Sequence, residues 1–233
     1  MKTIELIEKL KGLPLFTIND LSRIIGKKDS YVKVVAYRLR KKGLIKHIEK
    51  GKYTVYDDPV EFASYITTPS YISFWTALRI YNLTEQLPLG AMVAVPKPKK
   101  EIKFNKETIT FTKTSQFWGY KKMRYRDFDI FIAEKEKAVI DCLVSKNTPF
   151  DEAAKAILSK ELDYEKLVEY AEKAGIKSLA KRVGFLTEKA GFDATLLLRL
   201  SGSSYIPLNW AFKKKGQKDF RWKIIINEDL GQV

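Results

Sequence analysis

Only one cysteine and one histidine occur in the 233 residues of this chain. A lone thiol, Cys142, cannot form an internal disulfide, which fits a reducing compartment. One His and one Cys leave almost no donors for a zinc site. They also leave Ser-His and Cys-His chemistry a single imidazole, His47. No apolar run approaches the roughly 18 residues that a membrane span needs. The opening residues, Met1-Lys2-Thr3-Ile4-Glu5, lack the apolar block of a secretion signal and the Arg-rich character of a transit peptide. Also missing are a phosphate-binding Gly-rich loop with a Lys-Ser/Thr ending and a Ser-nucleophile elbow. The expectation is a cytoplasmic, non-enzymatic protein that needs no metal, cofactor or membrane.

Acids are scarce in two blocks. The whole chain has 43 Lys/Arg against 28 Asp/Glu, a formal charge of +15. Residues 1–56 contribute +9 and residues 97–126 contribute +8. The segments 57–96 and 127–210 are slightly acidic, at −3 and −2. A uniformly Lys-rich surface would spread both signs evenly. Concentrated blocks of one sign instead attract polyanions.

The first block has a readable order of elements. Leu6, Ile7, Leu10 and Leu13 make an apolar helical stripe that Gly12-Leu13-Pro14 ends. Thr17 with Asp20 three residues on predicts a capping box, and Ile18, Leu21, Ile24 and Ile25 give a short second helix closed by Gly26. Lys27-Lys28 then form a basic turn, and Asp29 or Ser30 is placed to cap a third helix. In that helix Val32, Val35, Ala36 and Leu39 recur at core spacing. The opposite face carries Ser30, Val34, Tyr37 and Lys41, with Lys33, Arg38 and Arg40 on its flanks. Arg, Lys, Ser and Tyr donate to phosphates and base edges, and a small apolar group can meet a thymine methyl. Leu44–Glu49 and Lys52–Tyr56 read as a hairpin around Lys50-Gly51, with Lys50 and Lys52 at its tip. This order predicts a winged helix-turn-helix that binds double-stranded DNA. His47 reads as a strand histidine near the surface.

The predicted fold class is α+β. A winged helix over residues 1–58 precedes a larger mixed α/β domain over 59–233, with a subdivision near 148. Asp57-Asp58-Pro59 marks the boundary. Tyr71 to Leu83 reads as a helix that is apolar on nearly every side and therefore buried. Strands are expected at 91–95, 108–112, 118–125 and 128–132, in a small sheet that is antiparallel in part. Helices are expected at 134–143, 150–158, 164–174 and 176–189. A basic turn at Lys213-Lys214-Lys215-Gly216 then leads into a terminal strand over 220–226. The cations Lys113, Lys121, Lys122, Arg124 and Arg126, interleaved with aromatics, are a candidate partner-binding surface. Asp127, Asp129 and Glu134 near Lys135 and Lys137 suggest a nuclease site, but the usual acid-x-Lys step is missing. Cys142 reads as a small buried apolar residue.

Three segments carry a resemblance when taken in order after the winged helix. They are Tyr71-Ile72-Ser73-Phe74-Trp75-Thr76-Ala77-Leu78, then Ile132-Ala133-Glu134-Lys135-Glu136-Lys137-Ala138-Val139-Ile140-Asp141, then Lys181-Arg182-Val183-Gly184-Phe185-Leu186. This order resembles the AbiEi antitoxin family of abortive-infection, type IV toxin–antitoxin systems, as far as about residue 191. The resemblance implies a transcription regulator that represses its own promoter. It also implies an antitoxin that counteracts a nucleotidyltransferase-like toxin without needing a stable complex with it. The alternative is a winged-helix transcription factor whose second domain senses a ligand or dimerises.

Overall fold

The apolar spacing of the first forty residues builds three helices. The computed structural model describes residues 2–229. It opens with α1 (Thr3–Leu10), β1 (Phe16–Thr17), α2 (Ile18–Ile25), α3 (Asp29–Lys41), β2 (Lys46–Glu49) and β3 (Lys52–Thr54). Leu6, Leu10, Phe16, Leu21, Val32, Ala36, Leu39 and Ile45 close into one core. The capping box at Thr17 and Asp20 is present, and Gly26 ends α2 in the left-handed conformation at φ +69°. The cap expected of Asp29 or Ser30 is absent, because Asp29 is already the first residue of α3. The hairpin gains a strand that hydrophobic periodicity does not signal. Two-residue β1 pairs antiparallel with β3, giving the order β1-β3-β2.

The same compact unit continues through two 3₁₀ turns, Pro59–Glu61 and Ala63–Tyr65, into a second sheet. Its strands are β4 (Tyr71–Ile72), β5 (Met92–Val95), β6 (Ile102–Phe104), β7 (Glu107–Lys113), β8 (Tyr120–Tyr125) and β9 (Phe128–Ala133). They run in the order β6-β7-β5-β4-β9-β8, so β6 and β8 are the edges. Pairing is antiparallel at β4–β5 and β6–β7, and parallel at β5–β7 and β4–β9. Ile48 of the hairpin lies in one apolar cluster with Phe62, Ile66, Val93, Phe104 and Ile109. The first unit therefore comprises residues 1–72, 89–113 and 122–132. A boundary at 58 does not separate two compact bodies, because the hairpin and the sheet share a core.

The second unit comprises residues 73–88, 114–121 and 133–233. Its helices are α4 (Phe74–Ile80), α5 (Lys135–Ser145), α6 (Phe150–Leu158), α7 (Tyr164–Ala174), α8 (Lys177–Lys189) and α9 (Leu198–Ser201). Three short strands follow, β10 (Ile206–Pro207), β11 (Gln217–Asp219) and β12 (Ile224–Ile226), in the order β10-β12-β11. The helix expected over 71–83 is shorter at both ends. Tyr71 and Ile72 extend instead and pair with Ala94 and Val93. A short, wholly apolar run suits a buried strand as well as a helix, and here tertiary pairing decides. The strand expected over 220–226 starts only at Ile224. The Asp219 carboxylate accepts from the Trp222 amide at 2.6 Å, and Lys223 adopts φ +54°, so residues 220–223 turn.

Gly184 lies against Trp222, a buried indole whose Nε1 donates to Glu188 Oε2 at 2.7 Å. A Cβ at Gly184 would stand 2.2 Å from the indole ring. Gly184→Ala should therefore destabilise the protein by about 1–3 kcal/mol, the usual cost of forcing a methyl into a filled core. Urea denaturation followed by Trp fluorescence checks this. An unchanged midpoint would mean that the indole moves freely.

Candidate nucleic-acid interface

Local chemistry builds the α2–α3 pair. Reciprocal bonds fix the start of α2: the Thr17 amide donates to Asp20 Oδ2 at 2.8 Å, and the Asp20 amide donates to Thr17 Oγ1 at 3.3 Å. The Ser22 hydroxyl donates to Asp29 Oδ1 at 2.5 Å, tying α2 to the first turn of α3. Asp29 is the only acid between residues 27 and 42, where seven Lys/Arg occur. Its carboxylate faces α2, which leaves the rest of α3 without negative charge.

Burial divides α3 as its spacing implies. Val32, Ala36 and Leu39 are buried and Val35 is half-buried. Lys27, Lys28, Ser30, Lys33, Arg38, Arg40 and Lys41 are exposed. Large apolar groups also face solvent here: Tyr37 is 64% exposed, Tyr31 55% and Val34 46%. Exposed apolar groups set among unpaired cations mark a surface built to be covered. Tyr31 belongs to this surface although sequence spacing did not single it out. A groove of about 340 Å³ beside α3, lined by Leu6, Ile25 and Leu39 together with Lys27, Arg38 and Lys42, extends the same positive side.

The hairpin departs from expectation. Lys50 is exposed at the turn, where Gly51 takes φ +78°. Lys52 instead turns inward. Its ammonium donates to Glu49 Oε1 at 2.9 Å and to the Ile66 carbonyl. Lys99 reaches the other oxygen of Glu49 at 2.6 Å. Burial pushes the Glu49 carboxyl up, but bonds from Lys99 and Lys52 outweigh it and hold the group below the usual carboxylate range. Lys52 therefore anchors the hairpin, and Lys50 is its outward cation.

The second basic block does not form a single free surface. In the first unit, Lys113, Lys122 and Arg124 are exposed, but Arg126 bonds Asp58 and Glu61, each at 3.1 Å. Arg124 stands 3.8 Å from Asp129. Lys121, in the second unit, is exposed with its ammonium 6.0 Å from the Tyr81 ring centre. Glu134 accepts from the Tyr170 hydroxyl and pairs with Lys166 at 3.1 Å.

Sequence reasoning missed the buried charges of the second unit. Ser73 Oγ donates to Asp141 Oδ2 at 2.7 Å, and Lys137 donates to the other oxygen of Asp141. The Lys137 ammonium also stands 4.8 Å from the Trp118 ring centre. All three polar side chains are buried. Burial pushes the Lys137 ammonium below its ordinary value, against the opposing pull of Asp141. The available signal was the i, i+4 pairing of Lys137 and Asp141 on an otherwise apolar helix. Burial pushes the Cys142 thiol up, away from reactive thiolate.

No protein-family model and no curated protein matches the chain. Among solved structures, its fold is similar to that of the RV2827C protein from Mycobacterium tuberculosis, with a TM-score of 0.65 and 11% sequence identity. The likeness covers 93% of this chain and 89% of the other. At that identity it speaks to the fold alone.

His47 stands on β2 with its ring 5.5 Å from that of Tyr53. Burial and the Arg40 charge hold its imidazole below the ordinary value, against a smaller opposing pull from Glu49. Because the folded-state value lies below the unfolded one, protonation favours unfolding. The stability linked to His47 is intact above the unfolded value and declines as pH falls through it. Between about pH 7 and about pH 5 the Tm of wild type should therefore fall slightly more than that of His47→Gln. Parallel thermal melts across this range check it. Equal slopes would show that the imidazole titrates alike in both states.

Proposed function

We propose that the first unit carries a winged helix-turn-helix that binds double-stranded DNA, with α3 in the major groove and Lys50 on the backbone. The sidedness of α3 carries the reading. Lys33, Arg38, Arg40 and Lys41 form no ion pair among the described residues, and they flank the exposed Val34 and Tyr37. Free cations release counterions when they neutralise phosphates, and the helix centre offers groups that contact base edges. The order of elements, three helices and then a hairpin, supports the same reading.

The resemblance to the AbiEi family supports a second part of the proposal. The protein represses its own promoter and counteracts a nucleotidyltransferase-like toxin. The antitoxin activity belongs to the region after the hairpin, and its contact surface includes Lys113, Lys121, Lys122 and Arg124.

Full-length protein should bind a duplex from its own promoter with an affinity that falls steeply as salt rises. Lys50→Ala should weaken binding to all duplexes alike and reduce the salt slope by about one unit. Tyr37→Ala should change the ranking of duplex sequences. Lys52→Ala should lower stability more than it alters the slope. Anisotropy titrations at several salt concentrations measure these effects, and a salt-independent affinity would refute the DNA reading.

The antitoxin proposal has a separate readout. Charge reversal at Lys113, Lys121, Lys122 and Arg124 should abolish rescue of cells expressing a nucleotidyltransferase-like toxin, while promoter binding persists. Full rescue by the folded reversal variant would remove this surface from the proposal.

A further inference from the structure

The loop Gly202–Tyr205 in the second unit is surrounded by cations. Lys181 is buried at 1% exposure, and among the described residues its ammonium has one acceptor, the Ser204 carbonyl. Lys177 lies one turn earlier on α8, with its Cδ 3.7 Å from where a Cβ on Gly202 would stand. The ammonium groups of Lys218 and Lys223 stand 5.2 and 5.5 Å from the Tyr205 ring centre. None of these four lysines forms an ion pair among the described residues. The charges of Lys177 and Lys223 add to burial in holding the Lys181 ammonium below its ordinary value. Like charges gathered around a buried member are unfavourable unless an anion joins them.

Among the described residues, nearby acids do not supply that anion. Six Lys/Arg and one acid, Asp219, occur between residues 211 and 224. Asp219 accepts from the Trp222 amide. Arg221 is held by Glu188, its Nε 3.0 Å from each carboxylate oxygen. Aromatic surface lies beside the cations. Phe220 is 73% exposed and meets Tyr205 edge-on, with ring centres 6.5 Å apart.

We infer that this surface binds single-stranded polynucleotide, with phosphates on the lysines and a base stacked on Phe220. A nucleotide places a flat ring beside an anion, and this surface offers flat rings beside ammonium groups. Duplex bases are already stacked on one another, so an exposed ring such as that of Phe220 favours unpaired strands. The inference is independent of the duplex-binding face on α3.

The test uses full-length protein carrying Lys33→Glu and Arg38→Glu, which disables that face. Binding of a fluorescein-labelled uridine oligonucleotide, and of its deoxythymidine counterpart, is followed by anisotropy. Both strands should still bind. Adding Phe220→Ala should weaken binding by about tenfold, the loss expected for one stacked base. Adding Lys218→Gln should reduce the salt slope by about 0.7. Both side chains are exposed, and circular dichroism confirms that each variant folds. Loss of all binding in the Lys33→Glu, Arg38→Glu background would overturn the inference, as would indifference to both added substitutions. Sensitivity to Lys218→Gln without sensitivity to Phe220→Ala would replace it with a plain anion site. Preference for phosphatidylserine vesicles over either strand would replace it with a membrane surface.

Discussion

Ile48 sits on the hairpin, yet it is buried among Phe62, Phe104 and Ile109 of the neighbouring turns and sheet. That apolar contact governs how α3 is presented. A hairpin held only by its own strands would be marginal in water, since two or three short strands bury little. Here the hairpin is fixed from the far side, and the Lys52–Glu49–Lys99 bridge adds a polar clamp at the same place. The orientation of Lys50 relative to α3 is thus set by the sheet. Cutting the chain at residue 58 would uncover Ile48 and Tyr56, so the first unit is better treated whole.

Buried charges play the corresponding part in the second unit. Asp141 collects bonds from Ser73, near the start of α4, and from Lys137 on its own helix. Arg182 on α8 donates to the carbonyls of Pro207 and Leu208 at 2.9 and 2.8 Å, pinning the β10 segment. Removing one partner from such a buried pair costs about 3–5 kcal/mol, because the other charge is left uncompensated. Ser73, Lys137, Asp141 and Arg182 fall within the segments 71–78, 132–141 and 181–186. Those segments look like ordinary core patterns in sequence, but here they also supply the polar anchors of the interior.

What the sequence made legible follows from range of interaction. The capping box at Thr17, the division of α3 into buried and exposed faces, and helix α6 depend on neighbours a few residues apart, and spacing reveals them. Strand β1 was hidden because two residues carry no periodicity, and only β3, more than thirty residues away, makes them a strand. The inward turn of Lys52 was hidden for the same reason, since its partners include the Ile66 carbonyl. The domain boundary failed because a change in local charge at Asp57-Asp58 says nothing about which apolar groups share a core. Of the candidate interface, α3 and Lys50 were readable from spacing. Tyr31 and the lysines around Tyr205 required the tertiary arrangement.

Strand β8 occupies an edge of the six-stranded sheet and carries Lys121, Lys122 and Arg124, all exposed. An open edge offers unpaired backbone groups to any second strand, and in dilute buffer the like charges of two copies keep such edges apart. Ions screen that repulsion over a few ångström at high concentration. Colloidal behaviour should therefore run opposite to a protein held in solution by salting-in. This chain will store best at low ionic strength, and concentrated salt will favour edge-to-edge self-association.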